Sequence, residues 1–154
     1  MSGGSEIRPP TLLALPSYLA GHVARIARRG LEEALAEHGL RLPHFAVLTA
    51  LADLGTMPQH ELADRLGLNR SHLVGYLDEV EERRLVSRGR DAADRRRQVV
   101  SLTAAGKELT ERLAELARHS QRELLGLLSD REYATLVALL RRIVVSDDEH
   151  RFTS

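Results

Sequence analysis

A chain of 154 residues that is 43% hydrophobic is long enough to bury one core and has the size of a single domain. Aromatic residues make up only 3%, so that core must be built from Leu, Ala and Val, which suits helix packing, and the absence of cysteine excludes disulfides and thiol chemistry. The 22 basic and 22 acidic residues cancel, so total charge carries no signal and only its clustering can.

No run of 18 apolar residues occurs, and MSGGSEIRPP lacks the basic start and apolar centre of a secretion signal, so the expected location is cytoplasmic. Ser2-Gly3-Gly4-Ser5 reads as a linker, the first ten residues as mobile, and Pro9-Pro10 as extended polyproline geometry. A helix is predicted from Pro16, well suited to a first turn, to His38 and Gly39. Leu19, Val23, Ile26, Ala27, Gly30, Leu31, Ala34 and Leu35 form one broad stripe on it. Residues 43 to 54 are apolar nearly all round, which places them at the centre of the core, with Gly55 as the stop.

Two short helical patterns follow. Thr56 and Gln59 have the spacing of a capping box, and Gly67 is placed to end the first helix in a left-handed conformation after Leu62, Ala63 and Leu66. Asn69 can cap a second helix in which Leu73, Leu77 and Val80 fall at i, i+4 and i+7, one buried stripe. Arg70, Ser71, His72, Gly75, Tyr76 and Glu79 are left on the other side. Two such helices joined by a short turn containing Gly are the unit that sets its second helix in the major groove of DNA; an ordinary helical hairpin is the alternative.

Leu85-Val86 and Val99-Val100-Ser101-Leu102 are strand-like runs around a polar tip, a predicted hairpin. Between residues 84 and 97 stand six arginines (Arg84, Arg88, Arg90, Arg95, Arg96, Arg97) against Asp91 and Asp94, a local charge of +4 in a neutral chain. Guanidinium groups bond phosphate bidentately and fit narrow minor grooves, so an arginine hairpin beside a major-groove helix is suited to the neighbouring groove. Asp78, Glu79, Glu81 and Glu82 read as a solvated outer face, and Asp94 as the holder of a wing arginine.

Past the hairpin, Thr103 can cap a helix running to about Leu128, with Leu109, Leu113, Leu116, Leu124 and Leu128 on a packing seam. Ser129 with Glu132 forms a second capping box, starting a last helix with Leu136, Val137, Leu140, Ile143 and Val144; the tail from Ser146 is acidic, then polar. Three amphipathic helices from opposite chain ends are more than one small unit can bury, so a second copy is expected to meet them.

The stretches LADRLGLNRSHLVGYLDEVEERRLV (62 to 86) and DAADRRRQVVSLTAAG (91 to 106) resemble the multiple-antibiotic-resistance regulator (MarR) family of bacterial winged-helix proteins. Asp94, Arg95 and Arg96 match the family's wing-tip pattern, and Leu102, Thr103 and Gly106 its exit into the dimerisation helix. Gly75 and Glu79 stand where the family often has basic or polar residues, and Ala92 where it often has a loop proline.

The resemblance implies a mainly α fold with a small β wing and a single domain over residues 1–154. Within it, 42–103 form a winged helix-turn-helix lobe, and 11–39 with 104–146 a helical dimerisation lobe. It implies a homodimeric, sequence-specific DNA-binding transcription regulator on a pseudo-palindromic operator, a repressor released by a small anionic or phenolic effector. The expected DNA-contacting residues are Gln59, Asn69, Arg70, Ser71, His72, Gly75, Tyr76, Arg88, Asp94, Arg95, Arg96 and Arg97. The expected effector pocket lies between the first two helices and the one after Thr103. There His22, His44, Arg25 and Arg29 would supply donors and Tyr18 and Phe45 apolar walls. The alternative is a helical dimer that binds a partner protein or small ligand with little affinity for DNA. None of the seven histidines falls in an H-x-x-x-H or HExxH spacing, so no metal and no cofactor is expected. Neither a nucleophile elbow, a P-loop nor a paired-carboxylate setting is present, so no enzyme is expected.

Overall fold

The core forms around the most apolar helix. In the computed structural model, which describes residues 7–153, α3 (Leu42–Leu54) buries His44, Val47, Leu48, Ala50 and Leu51 and touches most other elements. Each large apolar side chain so buried contributes about 1.5–3 kcal/mol. Gly55, at φ 86°, ends the helix as expected. Before it lie a short α1 (Pro10–Leu13) and α2 (Pro16–Ala36). Pro9 has the polyproline-like φ of −57° and ψ of 130°, but Pro10 opens α1, because a proline is tolerated at the first helical position. The Ser2 to Ser5 linker lies outside the described residues.

Helix α2 stops at Ala36; Gly39 takes φ 66° and Leu40 N–H reaches back to the Leu35 carbonyl at 3.1 Å, closing the end. Of its predicted stripe only Leu35 is buried, while Leu19, Val23 and Ile26 are exposed at 41%, 40% and 53%. A single chain therefore leaves the outer half of the stripe uncovered.

Next come α4 (Gln59–Leu66) and α5 (Arg70–Glu82), then β1 (Val86–Arg90) paired antiparallel with β2 (Gln98–Leu102), Val86 opposite Leu102 and Arg90 opposite Gln98. The expected Thr56–Gln59 capping box does not form. Met57 bridges Val100 through N–H···O bonds of 3.3 and 2.8 Å, and Thr56 Oγ1 donates to Ser101 Oγ at 3.2 Å. Residues 56 and 57 thus serve as a third edge to the hairpin, and α4 begins after Pro58, which has no side-chain cap.

Thr103 caps α6 (Ala104–Leu124), its Oγ1 accepting from Gly106 N–H at 3.0 Å. The helix ends near Leu124 rather than Leu128, because Arg122 bonds the carbonyls of Leu125 and Leu128 at 3.2 and 3.1 Å and pairs with Asp130 at 2.7 Å. Those carbonyls are satisfied outside the helix, so continuing it gains little. The Ser129–Glu132 box is present in both directions, at 2.9 and 3.2 Å, and starts α7. That helix spans Asp130–Thr153, running through the polar tail instead of stopping at Ser146. Beyond its first turn, where Arg122 lies over Tyr133, α7 packs only marginally; Val137, Leu140, Ile143 and Val144 are exposed. Among the described residues no helix is long and apolar enough to cross a membrane.

Gly106 sits where α6 meets the junction of α5 and β1. A Cβ there would lie 1.9 Å from the Leu85 carbonyl oxygen, so only glycine permits the approach. The same carbonyl accepts from Thr103 N–H and Oγ1, both at 3.0 Å, and Thr103 Oγ1 is also 2.7 Å from the Arg84 carbonyl. Arg84 itself adopts φ 58°, the left-handed residue ending α5.

Candidate nucleic-acid interface

The turn between α4 and α5 is built by local chemistry. Gly67 is left-handed (φ 62°, ψ 29°), with its own N–H and that of Leu68 closing the end of α4 on Asp64 and Ala63 at 3.2 and 2.9 Å. Asn69 Oδ1 accepts from Ser71 N–H at 2.8 Å and from Ser71 Oγ at 2.5 Å, capping α5. Leu73, Leu77 and Val80 are fully buried, which fixes the rotation of α5 and presents Arg70, Ser71, His72 and Gly75 to solvent.

The wing tip is folded by its aspartates. Asp91 Oδ1 accepts from Ala93 N–H and Asp94 Oδ1 from Arg96 N–H, each at 3.0 Å, while Arg97 N–H bonds the Asp94 carbonyl at 3.0 Å. Asp94 thus holds the wing arginines through the backbone, and Arg95, Arg96 and Arg97 stay exposed. Between wing and helices lies a cleft of about 550 Å³ lined by Gln59, His60, Arg70, Arg96, Arg97 and Gln98. Arg70 of α5 and Arg96 and Arg97 of the wing all line this one open groove. His60, absent from the expected set, joins them.

Arg88 departs from expectation. Its Nη2 lies 2.5 Å from Asp78 Oδ1 and 2.9 Å from Glu81 Oε1, its Nε and backbone N–H donate to Glu81 Oε2 at 3.3 and 3.0 Å, and its side chain is only 26% exposed. It bolts β1 to α5 instead of facing a ligand. The hydrogen bonds from Arg88 hold the Glu81 carboxyl below its ordinary pKa, and Glu81 together with Asp78 raises that of Arg88. The available signal was the i, i+3 spacing of Asp78 and Glu81, two carboxylates side by side within one short connection of a basic strand.

Glu79 is likewise no free surface acid. Arg41 Nη2 donates to both its oxygens at 3.1 Å, and His44 Nε2 lies 2.5 Å from Oε2. These bonds, Arg41's first, depress the Glu79 pKa. His44 Nδ1 accepts from Arg41 N–H at 3.0 Å, so the neutral ring carries its proton on Nε2 and donates it to Glu79. The His44 and Tyr76 rings meet edge to face at 5.7 Å, and the Arg41 guanidinium lies 5.5 Å from the Tyr76 ring centre. Tyr76 is half-buried in this cluster instead of standing clear on the outer face.

His44 therefore belongs to the contact between α3 and α5, and the six residues expected around an effector are not brought together. Tyr18 and His22 stack edge to face at 4.5 Å, with Arg8 Nη1 2.9 Å from the Tyr18 hydroxyl and 2.9 Å from His22 Nε2. Partial burial, then the charges of Arg8 and Arg25, lower the His22 pKa. Arg29 pairs with Glu33 at 3.1 Å, and Phe45 packs on the core. A cleft of about 410 Å³ does lie between α2 and α6, but Gly30, Glu33, Glu37, His119, Ser120 and Glu123 are prominent in its walls. Among the described residues no cluster of three His, Asp or Glu has the arrangement of a metal site.

A MarR family model matches residues 38–97, the span from the turn after α2 to the wing tip. The transcriptional regulator HosA of Escherichia coli O157:H7 is 34% identical over 105 residues, which cover 68% of this chain and 78% of that protein. Among solved structures, wild-type MarR from E. coli superposes with a TM-score of 0.73 at 26% identity, covering 84% of this chain and 96% of the other. CouR from Rhodococcus jostii RHA1, bound to p-coumaroyl-CoA, superposes with a TM-score of 0.76 at 27% identity, covering 90% and 94%. With its winged helix-turn-helix and a relative of this identity and coverage, the chain belongs to the MarR family of transcriptional regulators.

Proposed function

We infer that the protein represses transcription by holding a pseudo-palindromic operator as a homodimer and leaves it when a small anionic or phenolic molecule binds. The observation that carries the DNA-reading part is the convergence of Arg70, Arg96 and Arg97 on one cleft beside the exposed start of α5. A helix whose first turn is open, flanked by guanidinium groups, can meet base edges while the arginines take phosphates or the adjoining minor groove. In this reading residues 42–103 are the DNA-binding lobe, with Gln59, Arg70, Ser71, His72, Gly75, Arg95, Arg96 and Arg97 as its contacting surface.

The uncovered apolar faces of α2 and α7 support a second copy, whose two-fold axis would set two heads on half-sites about 34 Å apart or a multiple of it. CouR, with its bound phenolic thioester, supports an effector of that class. Tyr18 and His22 on α2, with Arg8 from the segment before α1 and Arg25 nearby, offer an acid two cationic donors and an aromatic wall.

Titrating the protein onto duplex fragments selected from its genome, at several salt concentrations, tests the first part. Log affinity must fall with log salt, and Arg96→Ala must flatten the slope by about 0.9 for each phosphate it leaves unneutralised. A folded Arg96→Ala protein with unchanged affinity would remove the wing from the interface. No salt dependence at all would favour a helical dimer that serves a protein partner. For the effector, linkage requires that an aromatic acid which releases operator bind more weakly, by the same factor, when operator is present.

A further inference from the structure

We propose that Arg41 is a second phosphate anchor, presented beside the last turns of α5 by Glu79 and Tyr76 and lying across the major groove from the arginine cleft near the wing. The inference rests on the DNA-reading role above and extends it to a residue outside both the helix-turn-helix and the wing.

Arg41 precedes α3, yet its guanidinium reaches α5. Nη2 is fixed on both Glu79 oxygens and the group lies over the Tyr76 ring, while the side chain remains 61% exposed. Its Nε and Nη1 have no partner among the described residues, so part of the fork is left to donate to an anion. Holding the group in place beforehand lowers the rotamer entropy lost on binding.

Position supplies the second part. Arg70 opens α5 and Glu79 follows nine residues later, a rise of about 13.5 Å at 1.5 Å per residue. The major groove is about 12 Å wide. Nine residues also turn about half-way round the axis, so Arg70 and Glu79 flank the exposed face on opposite sides and, with the helix in the groove, look toward opposite walls.

Glu79 itself provides the third. A carboxylate on the outer side of this helix would repel DNA if it stood alone, and it does not. His44, buried to 3% exposure, donates to Oε2 and orients the carboxylate from beneath, and Arg41 closes over it from the solvent side. The acid becomes a support that holds outward a cation supplied by the residue just before α3. Arg88, in contrast, is surrounded by Asp78 and Glu81 and only 26% exposed.

Arg41→Ala and Arg96→Ala are compared on the same selected duplex, by fluorescence anisotropy across a salt series and by phosphate ethylation interference, with folding checked by urea denaturation. Arg41→Ala should flatten the salt slope by about 0.9 per protomer and weaken binding roughly tenfold or more near 0.1 M salt. It should also relieve interference at one phosphate per half-site, on the groove wall opposite the phosphate relieved by Arg96→Ala. Arg41→Gln, which keeps an N–H donor for Glu79 but no charge, gives the same readout if the alanine variant is unstable. Parental slope and interference in a folded Arg41 variant, with Arg96→Ala altered, would overturn the anchor and leave the DNA-reading face standing. If neither variant changes either readout, the DNA-reading face itself fails.

Discussion

Replacing Gly106 by alanine strikes the joint where the arm helix α6 meets the end of α5 and the start of the wing. The added Cβ would stand 1.9 Å from the Leu85 carbonyl oxygen and 2.9 Å from Leu102 Cδ1. Real Cβ contacts stay beyond 3.0 Å, so the two backbones must separate by more than about 1 Å. That movement takes the Thr103 N–H and Oγ1 bonds to Leu85, both 3.0 Å, out of range. Two such bonds are worth about 0.5–1.5 kcal/mol each, and overpacking costs about 1–3 kcal/mol. The expected loss is therefore about 2–6 kcal/mol. Gly75→Ala is the control, because that helical Cβ meets nothing within 4 Å and should stabilise by about 0.5–1 kcal/mol. Urea denaturation followed by circular dichroism measures both. If Gly106→Ala unfolds at the parent's midpoint with an unchanged m-value, α6 does not approach the Leu85 carbonyl this closely and the reasoning fails.

Arg70→Ala should cost about 1–3 kcal/mol on the cognate operator and relax preference at one position per half-site if Arg70 reads a base; equal weakening on all sequences would reassign it to phosphate. Arg84→Gly should raise stability by about 0.5–1 kcal/mol, since glycine adopts φ 58° without Cβ strain, and a lower urea midpoint would show that the Arg84 side chain outweighs its backbone. The pKa values of Glu79 and Glu81 are lowered by folding, so the stability they confer is complete above the ordinary carboxylate range and is lost as pH falls through their depressed values. The Glu79→Gln, Glu81→Gln double variant should accordingly lose less stability than the parent between neutral pH and the acid side of that range; parallel losses would mean these pairs do not contribute to acid unfolding.

Much of this protein is decided within a few residues of chain. The buried stripe of Leu73, Leu77 and Val80, the left-handed Gly67, the caps of Asn69 and Thr103 and the Ser129–Glu132 box all depend on partners at most seven positions apart, so residue type and spacing determine them. The wing-tip turns made by Asp91 and Asp94 are legible for the same reason, and the two strands from their apolar runs on either side of a polar tip. The destinations of the charges are not. Glu79 looks like any solvated helix acid until the fold brings Arg41 and His44, 38 and 35 residues earlier, against it. Arg88 reads as one more wing cation until Asp78 and Glu81 enclose it. Thr56 has the spacing of a cap, yet Val100 and Ser101 draw its segment into the sheet. A charged or polar group takes its partner from whatever packing places within about 3 Å, and packing is set by the apolar residues. The sequence by itself therefore determines most of the elements of this protein, while tertiary structure alone decides which of its cations are consumed in holding the head together and which remain turned outward.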